Sequence, residues 1–378
     1  MQNPHKKLYL SPPHMSGAEL AAVTEAFDTN FIAPAGPMIE RFEDFFAEYS
    51  GFGHSVALTS GTAALHLALR YLNIGAGDKV IASSMTFIGG IAPILYQGAE
   101  PVFIDSDQSW TMDPALLEET LTRLSVAGTQ ARAIIPTDLY GQPCDLDRIV
   151  ALGDRFGVPV IVDSAEAVGS HIGDRHAGKG AWAAAYSFNG NKIITTSGGG
   201  ILATDDTELA DRARFLSQQA REPVPHYEHE TFGYNYRLSN IAAAIGVGQM
   251  SVLPERVAAK RALFDCYVDG LAALPGVSFM PEQPGTQSNR WLTVMLIDPE
   301  KAGTDTTTIR LRLENMDIES RPVWKPMHLQ PVFASSSVTG GAVSERFFAH
   351  GLCLPSGTAM TADDQSRVVE AVRSAFPG

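Results

Sequence analysis

One lysine of this sequence lies in a setting that favours a chemical role. Lys192 ends the segment Tyr186-Ser-Phe-Asn-Gly-Asn-Lys192, and the small residues Ser197-Gly-Gly-Gly200 follow it. Glycines permit a tight loop that holds a lysine stem against a flat ligand, and a lysine shielded from water can act as a nucleophilic amine. Because most lone lysines are solvated surface charges, this interpretation needs support from other parts of the chain.

Two further motifs supply complementary groups. Thr59-Ser-Gly-Thr-Ala-Ala-Leu-His66 follows an apolar run and opens a helix, where free N–H groups and the helix dipole favour an anion such as a phosphate. Asp163 ends the apolar run 159–163, at the edge where α/β proteins place ligands. Its carboxylate could pair with a protonated ring nitrogen or a metal. Taken alone, each motif is equally compatible with an ordinary helix cap.

Together, a phosphate site, a strand-end carboxylate and a lysine amine match the needs of pyridoxal 5′-phosphate (PLP). Its aldehyde forms a Schiff base with lysine, its phosphate needs hydrogen-bond donors, and its ring nitrogen must stay protonated to withdraw electrons. A fourth segment, Gly233-Tyr-Asn-Tyr-Arg237, adds amide, aromatic and guanidinium groups before an alanine-rich helix. The order and spacing of these segments predict a PLP site.

The elements that must position these groups follow an α/β pattern. Short apolar runs, typical of strands buried on both faces of a mainly parallel sheet, alternate with helical stretches. These runs are residues 55–58, 79–83, 101–105, 132–136, 159–163 and 200–204. After residue 250 a long helix, a strand-like run and further helices predict a smaller α+β domain. We therefore expect a large PLP-binding domain over residues 1–250 and a small domain over residues 251–378.

Composition excludes several classes of protein. The 378 residues carry a formal net charge of −14, which argues against binding to nucleic acid or anionic lipid. No apolar run approaches the roughly 20 residues that a membrane-spanning helix needs. Cys144, Cys266 and Cys353 are widely separated and odd in number, which indicates reduced thiols and a cytoplasmic location.

Two motifs are set aside as misleading. Gly173-Asp-Arg-His-Ala-Gly-Lys179 resembles a P-loop, but Gly180 stands where Ser or Thr should bind magnesium, so a surface hairpin is expected. His226 and His229 lie near prolines that would break an aligning helix, and no third ligand is evident. We therefore predict no metal site.

The chemical motifs resemble one known family. They are similar to those of the DegT-like sugar aminotransferases, which are PLP enzymes of fold type I, and they occur in the family's order. The resemblance runs from about Leu10 to the C-terminus. The segments that carry it are 60–66, 163–167, 187–192 and 233–237.

This resemblance implies a role for each matching residue. Lys192 would form the Schiff base and Asp163 would pair with the ring nitrogen. Asn235 would reach the phosphate of a neighbouring subunit, which implies a homodimer. Glu166 stands where many relatives have Gln or His, and beside the ring hydroxyl a carboxylate would repel a phenolate oxygen unless the two share a proton. The remaining cofactor contacts would be Thr62, Ala63 and Ser187 at the phosphate and Phe87 stacked on the ring.

The segment Glu319–Pro331 and the lysine loop resemble a subgroup that aminates UDP-linked 4-keto-6-deoxy-N-acetylhexosamines at C4, with glutamate as donor and 2-oxoglutarate as product. The groups expected to bind a nucleotide diphosphate or a donor carboxylate are Arg237, Arg321, Lys325 and His328. The alternative is a packing loop with solvated charges. Other substrates also stay open, namely dTDP-3-keto-, dTDP-4-keto- or GDP-4-keto-sugars, as does a non-catalytic PLP-binding regulatory protein.

Overall fold

The computed structural model describes residues 7–377, which contain helices and strands in alternation. The helices are Ala18–Asp28 (α1), Pro37–Ser50 (α2), Gly61–Tyr71 (α3), Ala92–Tyr96 (α4), Pro114–Val126 (α5), Leu146–Phe156 (α6), Thr207–Ser217 (α7), Asn240–Met250 (α8), Leu253–Leu271 (α9), Pro299–Ala302 (α10), Thr306–Glu314 (α11), Ala342–His350 (α12) and Ala362–Arg373 (α13). The strands are His54–Leu58 (β1), Lys79–Ser83 (β2), Glu100–Ile104 (β3), Ala131–Ile135 (β4), Ile161–Asp163 (β5), His171–Ile172 (β6), Arg175–His176 (β7), Ala183–Ser187 (β8), Gly200–Thr204 (β9), Val277–Phe279 (β10), Thr286–Gln287 (β11), Thr293–Ile297 (β12), Arg321–Pro322 (β13), Ser337–Thr339 (β14) and Gly351–Leu354 (β15).

The main sheet has the strand order β1-β9-β8-β5-β4-β2-β3-β14. Two four-stranded halves meet where β4 and β5 form parallel bridges, at Ile134↔Val160 and Thr137↔Asp163. Neighbouring strands run parallel except β9, which is antiparallel to both β1 and β8. The predicted α/β fold with a mainly parallel sheet is thus confirmed.

Both faces of this sheet are covered by helices, which explains the continuous apolar runs. Along β2, Ile81 packs into one hydrophobic cluster, whereas Val80 and Ala82 pack into the other. The first cluster includes residues of α2, α5 and α6, and the second includes residues of α3, α4 and α7. Since successive side chains point to opposite faces, each of them must be apolar.

The C-terminal part builds a second, antiparallel sheet in the order β10-β12-β15-β13. Helices α9, α11 and α13 pack on it through a third hydrophobic cluster. However, β14 leaves this unit and pairs in parallel with β3 at the edge of the main sheet. The Asp105 carboxylate accepts hydrogen bonds from the N–H groups of Gly341, Val343 and Ser344, which fixes the start of α12 beside β3. The domain division at residue 250 stays a prediction.

Local sequence signals account for one hairpin and for the starts of two helices. The P-loop-like segment is the expected hairpin, since β6 pairs antiparallel with β7. A capping box opens α13 at Thr361. At the first helix, the Glu19 carboxylate accepts the N–H of Ser16, and the Ser16 hydroxyl accepts the N–H of Ala18, where α1 begins. No helix among residues 7–377 is long and apolar enough to cross a membrane.

Candidate active site

A cavity of about 350 Å³ opens at the carboxyl ends of β2, β4, β5 and β8. Parallel strands end together at this edge, which is where α/β sheets bind ligands. The cavity brings together six of the residues expected to contact a cofactor. These are Thr62, Phe87, Asp163, Glu166, Ser187 and Lys192.

Lys192 projects into the cavity from the loop after β8. Its Nζ lies 3.3 Å from Oε1 of Glu166 and 4.0 Å from the ring centroid of Trp291. Its side chain is only 11% exposed. The N–H of Lys192 donates to the carbonyl of Asn189, which closes the loop. The amine is therefore held in a fixed, largely desolvated position.

Asp163 is fixed by its place at the end of β5. Its N–H donates to the carbonyl of Pro136, and Oδ1 accepts the N–H of Ala165 at 3.2 Å. A side chain at Gly90 would collide with Oδ2, so glycine is required there. Burial raises the pKa of Asp163 to about 6, although the positive charge of Lys192 opposes this shift. At neutral pH this carboxylate can pair with a protonated ring nitrogen.

Glu166 lies on the other side of the lysine amine. Its Oε2 accepts the N–H of Tyr140 at 2.6 Å, while Oε1 faces Lys192. Burial raises the pKa of Glu166 to about 7, with repulsion from Asp163 adding to the shift and Lys192 opposing it. This carboxyl group therefore changes protonation near neutrality, as a group that shares a proton with a phenolate oxygen must.

The N-terminus of α3 offers an anion site. The Ser60 side chain and carbonyl accept the N–H groups of Ala63 and Ala64. The N–H groups of Gly61 and Thr62 have no intrahelical acceptor, as at every helix start. Thr62 Oγ1 donates to the carbonyl of Gly89 at 2.9 Å. A phosphate fits here, although the Ala63 N–H is already bonded to Ser60 and Ala63 does not line the cavity.

Aromatic rings that the sequence analysis did not select surround the lysine. Phe87, which it did select, is largely exposed at the cavity and lies 5.4 Å from Trp324, centroid to centroid. Trp291 and Trp324 line the cavity, and buried Tyr140 packs 4.9 Å from Trp324. These rings come from distant segments of the chain, so no local motif connects them with the lysine.

Two predicted residues of the segment 233–237 lie away from the cavity. Asn235 is exposed, and its Oδ1 accepts a hydrogen bond from Nε2 of Gln219 at 3.1 Å. Arg237 is buried, and its guanidinium bonds the Glu43 carboxylate and the carbonyl of Ala57. Its predicted contact with substrate finds no support in this placement, because the cationic group is already paired inside the protein.

The segment predicted to bind substrate is only partly at the cavity. Arg321 lines it with a 66% exposed side chain, which pairs with Glu319. Lys325 is half-buried and does not line the cavity. His328 bonds Ser84 through Nδ1 at 2.6 Å and Glu345 through Nε2 at 3.1 Å. Both ring nitrogens are thus occupied, so His328 supports the segment instead of facing a ligand in this cavity.

Comparison with known proteins identifies the family of this chain. The profile of the DegT/DnrJ/EryC1/StrS aminotransferase family matches residues 13–373. The chain is 48% identical over 377 residues to EpsN of Bacillus subtilis (strain 168), provisionally named a PLP-dependent aminotransferase, with 98% of this chain and 96% of that protein covered. It is 36% identical over 367 residues to GDP-perosamine synthase of Caulobacter vibrioides, with 97% of each covered.

A solved structure shows the same fold with the cofactor. The PLP form of Spr1654 from Streptococcus pneumoniae, provisionally described as a sugar aminotransferase, has a TM-score of 0.89 at 25% identity and covers 98% of each chain. The lysine amine, the strand-end carboxylate and the open helix N-terminus fit the aldehyde, ring nitrogen and phosphate of PLP. The chain belongs to the DegT/DnrJ/EryC1/StrS aminotransferase family, and its cofactor is PLP.

Proposed function

We propose that this protein transfers an amino group from glutamate to C4 of a UDP-linked 4-keto-6-deoxy-N-acetylhexosamine. The observation that carries the aminotransferase activity is the Lys192 amine, which is held 3.3 Å from Glu166 in a cavity that also contains Asp163. An amine with two carboxyl groups around it is suited to bind an aldehyde cofactor and to move protons beside it.

When bound, PLP supplies an aldehyde that takes up the amino group and a ring that stabilises negative charge on carbon. Binding, orientation and proton transfer are the tasks of the chain's own residues. Lys192 would hold the cofactor between turnovers, then take the proton from Cα of glutamate as base and deliver it as acid to the cofactor carbon that carried the aldehyde. Asp163 would keep the ring nitrogen protonated, and Glu166 would share its proton with the ring oxygen in a hydrogen bond. Phe87 would cover the ring, and Thr62 and Ser187 would bind the phosphate.

The sugar substrate is inferred from similarity in the segment 319–331 and the lysine loop. Arg321 places a cation at the cavity mouth of an acidic protein, and it can bind a diphosphate in bidentate geometry. We propose Lys325 as a second, peripheral contact. The similarity to GDP-perosamine synthase favours one alternative, a GDP-linked 4-keto-sugar. In either case the acceptor is a nucleotide-linked keto-sugar.

Kinetics on a panel of UDP-, dTDP- and GDP-linked keto-sugars tests this assignment. We expect kcat/KM to be highest for the UDP-N-acetyl sugar and to fall by roughly 10²- to 10⁴-fold for sugars without the N-acetyl group, since a site that hydrogen-bonds a substrate group rejects analogues that lack it. We expect Arg321→Gln to raise KM for the sugar by about 10-fold, because it loses a charged hydrogen bond to the diphosphate.

The matched control is Arg310→Gln on α11, where the arginine pairs with Glu314 away from the cavity. It should leave KM unchanged. Release of 2-oxoglutarate from glutamate should proceed normally in both variants, because this half of the reaction involves no nucleotide. A preference for a GDP- or dTDP-linked sugar would overturn the UDP assignment while leaving the aminotransferase intact.

We also propose that the protein acts as a homodimer in which Asn235 reaches the phosphate site of the partner subunit. Asn235 is exposed and does not line its own chain's cavity. Nearby segments expose large apolar side chains that a second copy would cover. These include Phe31, Ile32, Tyr227 and Phe232.

Subunit complementation tests this arrangement. In a hybrid of one Lys192→Ala subunit and one Asn235→Ala subunit, one site would combine an intact Lys192 with an intact Asn235 from its neighbour. We therefore expect mixing the two variants under subunit exchange to restore up to about a quarter of wild-type activity, since half of the dimers are hybrids with one of two sites intact. If Asn235 instead served its own subunit, no hybrid site would be complete and mixing would restore nothing.

A further inference from the structure

A lysine buried in the middle of α9 is not explained by the proposed reaction. Lys260 is 2% exposed, and its Nζ donates to Ser11 Oγ at 3.0 Å, to the carbonyl of Trp291 at 2.9 Å and to the carbonyl of Ser356. None of these partners carries a charge. The three acceptors belong to the N-terminal segment, to the residues before β12 and to the residues after β15. One amine thus ties three separate segments together.

The hydrogen-bond directions require this amine to be an ammonium. Ser11 donates its own hydroxyl hydrogen to the carbonyl of Asn191 at 2.9 Å, so it can only accept from Lys260. Three acceptors need three N–H donors, which a neutral amine does not have. Burial opposes the charge and lowers the pKa of Lys260 to about 7. The charged form is kept in place by its three acceptors.

Two of these contacts lead directly to the active-site lysine. Ser11 bonds the carbonyl of Asn191, which is in the peptide linked to Lys192. The indole Nε1 of Trp291 donates to the same carbonyl at 2.8 Å, and the Trp291 ring lies 4.0 Å from Nζ of Lys192. Lys260 therefore hydrogen-bonds both residues that donate to the Asn191 carbonyl, Ser11 and Trp291. The Trp291 ring also packs beside the Lys192 amine.

We infer that Lys260 is a positioning residue for Lys192, acting through Ser11 and Trp291. Without its ammonium, the Trp291 backbone and the Ser11 hydroxyl lose their shared anchor, and the loop that carries Lys192 is free to shift. This inference rests on the proposed function in so far as Lys192 is the residue that carries the cofactor. Displacement of a reacting group by about 1 Å can cost roughly 10²-fold in rate.

Lys260→Met, which keeps the apolar stem, tests this role. We expect kcat to fall roughly 10- to 100-fold with an unchanged KM for glutamate, since the chemical step and not substrate binding is affected. We also expect the visible circular dichroism of the bound cofactor to weaken, because a loosely held Lys192 leaves the cofactor less ordered. In cofactor-free protein, the rate of Lys192 methylation by formaldehyde and cyanoborohydride, followed by peptide mass spectrometry, should change as well.

The matched control is Tyr267→Phe on the same helix. Tyr267 is fully buried and donates to the carbonyl of Pro355 at 2.7 Å, beside Ser356, but it has no hydrogen bond to Ser11, Trp291 or Asn191. It should lower the melting temperature without altering the dichroism or the methylation of Lys192. If Lys260→Met matches Tyr267→Phe in kcat, in dichroism and in the methylation rate of Lys192, the inferred role is wrong.

Ser11→Ala tests the positioning role of Lys260 if Lys260→Met does not fold. It breaks the link from Lys260 to Asn191 and leaves the Trp291 link intact, so we expect a smaller loss in kcat of about 5-fold and the same change in dichroism. Wild-type kinetics and dichroism in this variant would overturn the inference. Failure of the proposed function can be distinguished from failure of this inference. If the proposed function is wrong, wild-type protein does not bind PLP through Lys192, but substitution of Lys260 still changes the methylation rate of Lys192 in cofactor-free protein.

Discussion

Lys192→Ala is expected to abolish amino transfer, with a loss of at least about 10⁴-fold in the rate of 2-oxoglutarate release from glutamate. The residue has two proposed tasks, covalent attachment of the cofactor and proton transfer, and proton transfer alone contributes up to about 10⁴-fold. Its amine lies 3.3 Å from Glu166 in the cavity, where both tasks would be carried out. Single-turnover measurements with glutamate would give the rate.

Borohydride treatment gives a second, independent measurement. Reduction should fix the mass of PLP on the peptide that contains Lys192 in wild-type protein and on no peptide of the variant. Lys301→Ala is the matched control, because Lys301 is a well-exposed lysine that pairs with Asp298 on the surface. It should behave as wild type. Cofactor mass on another lysine, or substantial turnover by Lys192→Ala, would contradict the assignment.

The sequence predicted most of the main sheet because its strands are buried on both faces. The runs 79–83 and 200–204 match β2 and β9 at both ends. Strand β8, which leads into the lysine loop, was missed because Ala183-Ala-Ala-Tyr-Ser187 lacks the β-branched residues that mark strands. The direction of β9 also could not be predicted, since an apolar run has the same pattern in parallel and antiparallel pairs.

Edge strand β14 illustrates a different limit. Ser337-Val-Thr339 is short and mostly exposed, and its partner β3 lies more than 200 residues earlier in the chain. Pairing of this kind depends on the folded arrangement of segments far apart in the chain, and nothing in the local sequence signals it. The α+β character of the C-terminal part was nevertheless indicated by the long helix, the strand-like run and the further helices after residue 250.

Among the site residues, too, those marked by a local sequence motif can be predicted, whereas those brought in from distant segments cannot. Asp163, Lys192 and Thr62 lie at a strand end, in a glycine-rich loop and at a helix start, where the local sequence is informative, and all three line the cavity. Trp291 was missed as an active-site residue, because its contact with Lys192 joins segments 99 residues apart. For Arg237 the local motif was present, but Glu43 on α2 pairs with its guanidinium.

Asp163→Asn is expected to lower kcat for the glutamate half-reaction by roughly 10³-fold, while the protein stays yellow. The amide keeps the shape of the side chain but cannot hold the proton on the ring nitrogen, so negative charge on the substrate carbon is poorly stabilised. The cofactor remains bound because Lys192 and the N-terminus of α3 are unchanged. Stopped-flow absorbance of the holoprotein mixed with glutamate would measure this rate.

The pH dependence of cofactor capture separates this charge effect from a loss of structure. The pKa of Asp163 is raised to about 6 by burial, so the carboxylate is ionised above pH 6 and becomes protonated as the pH falls below it. Pyridoxamine phosphate is the suitable ligand, because it cannot bond covalently to Lys192. Cofactor-free wild-type protein should bind it more weakly below pH 6, and the difference in affinity between wild type and Asp163→Asn should vanish there. Asp138→Asn, another buried carboxyl group whose pKa is about 6 but which does not line the cavity, should lose stability and keep the wild-type pH dependence. If the two variants lost affinity with the same pH profile, a general effect of buried carboxylates would replace the proposed pairing of Asp163 with the ring nitrogen.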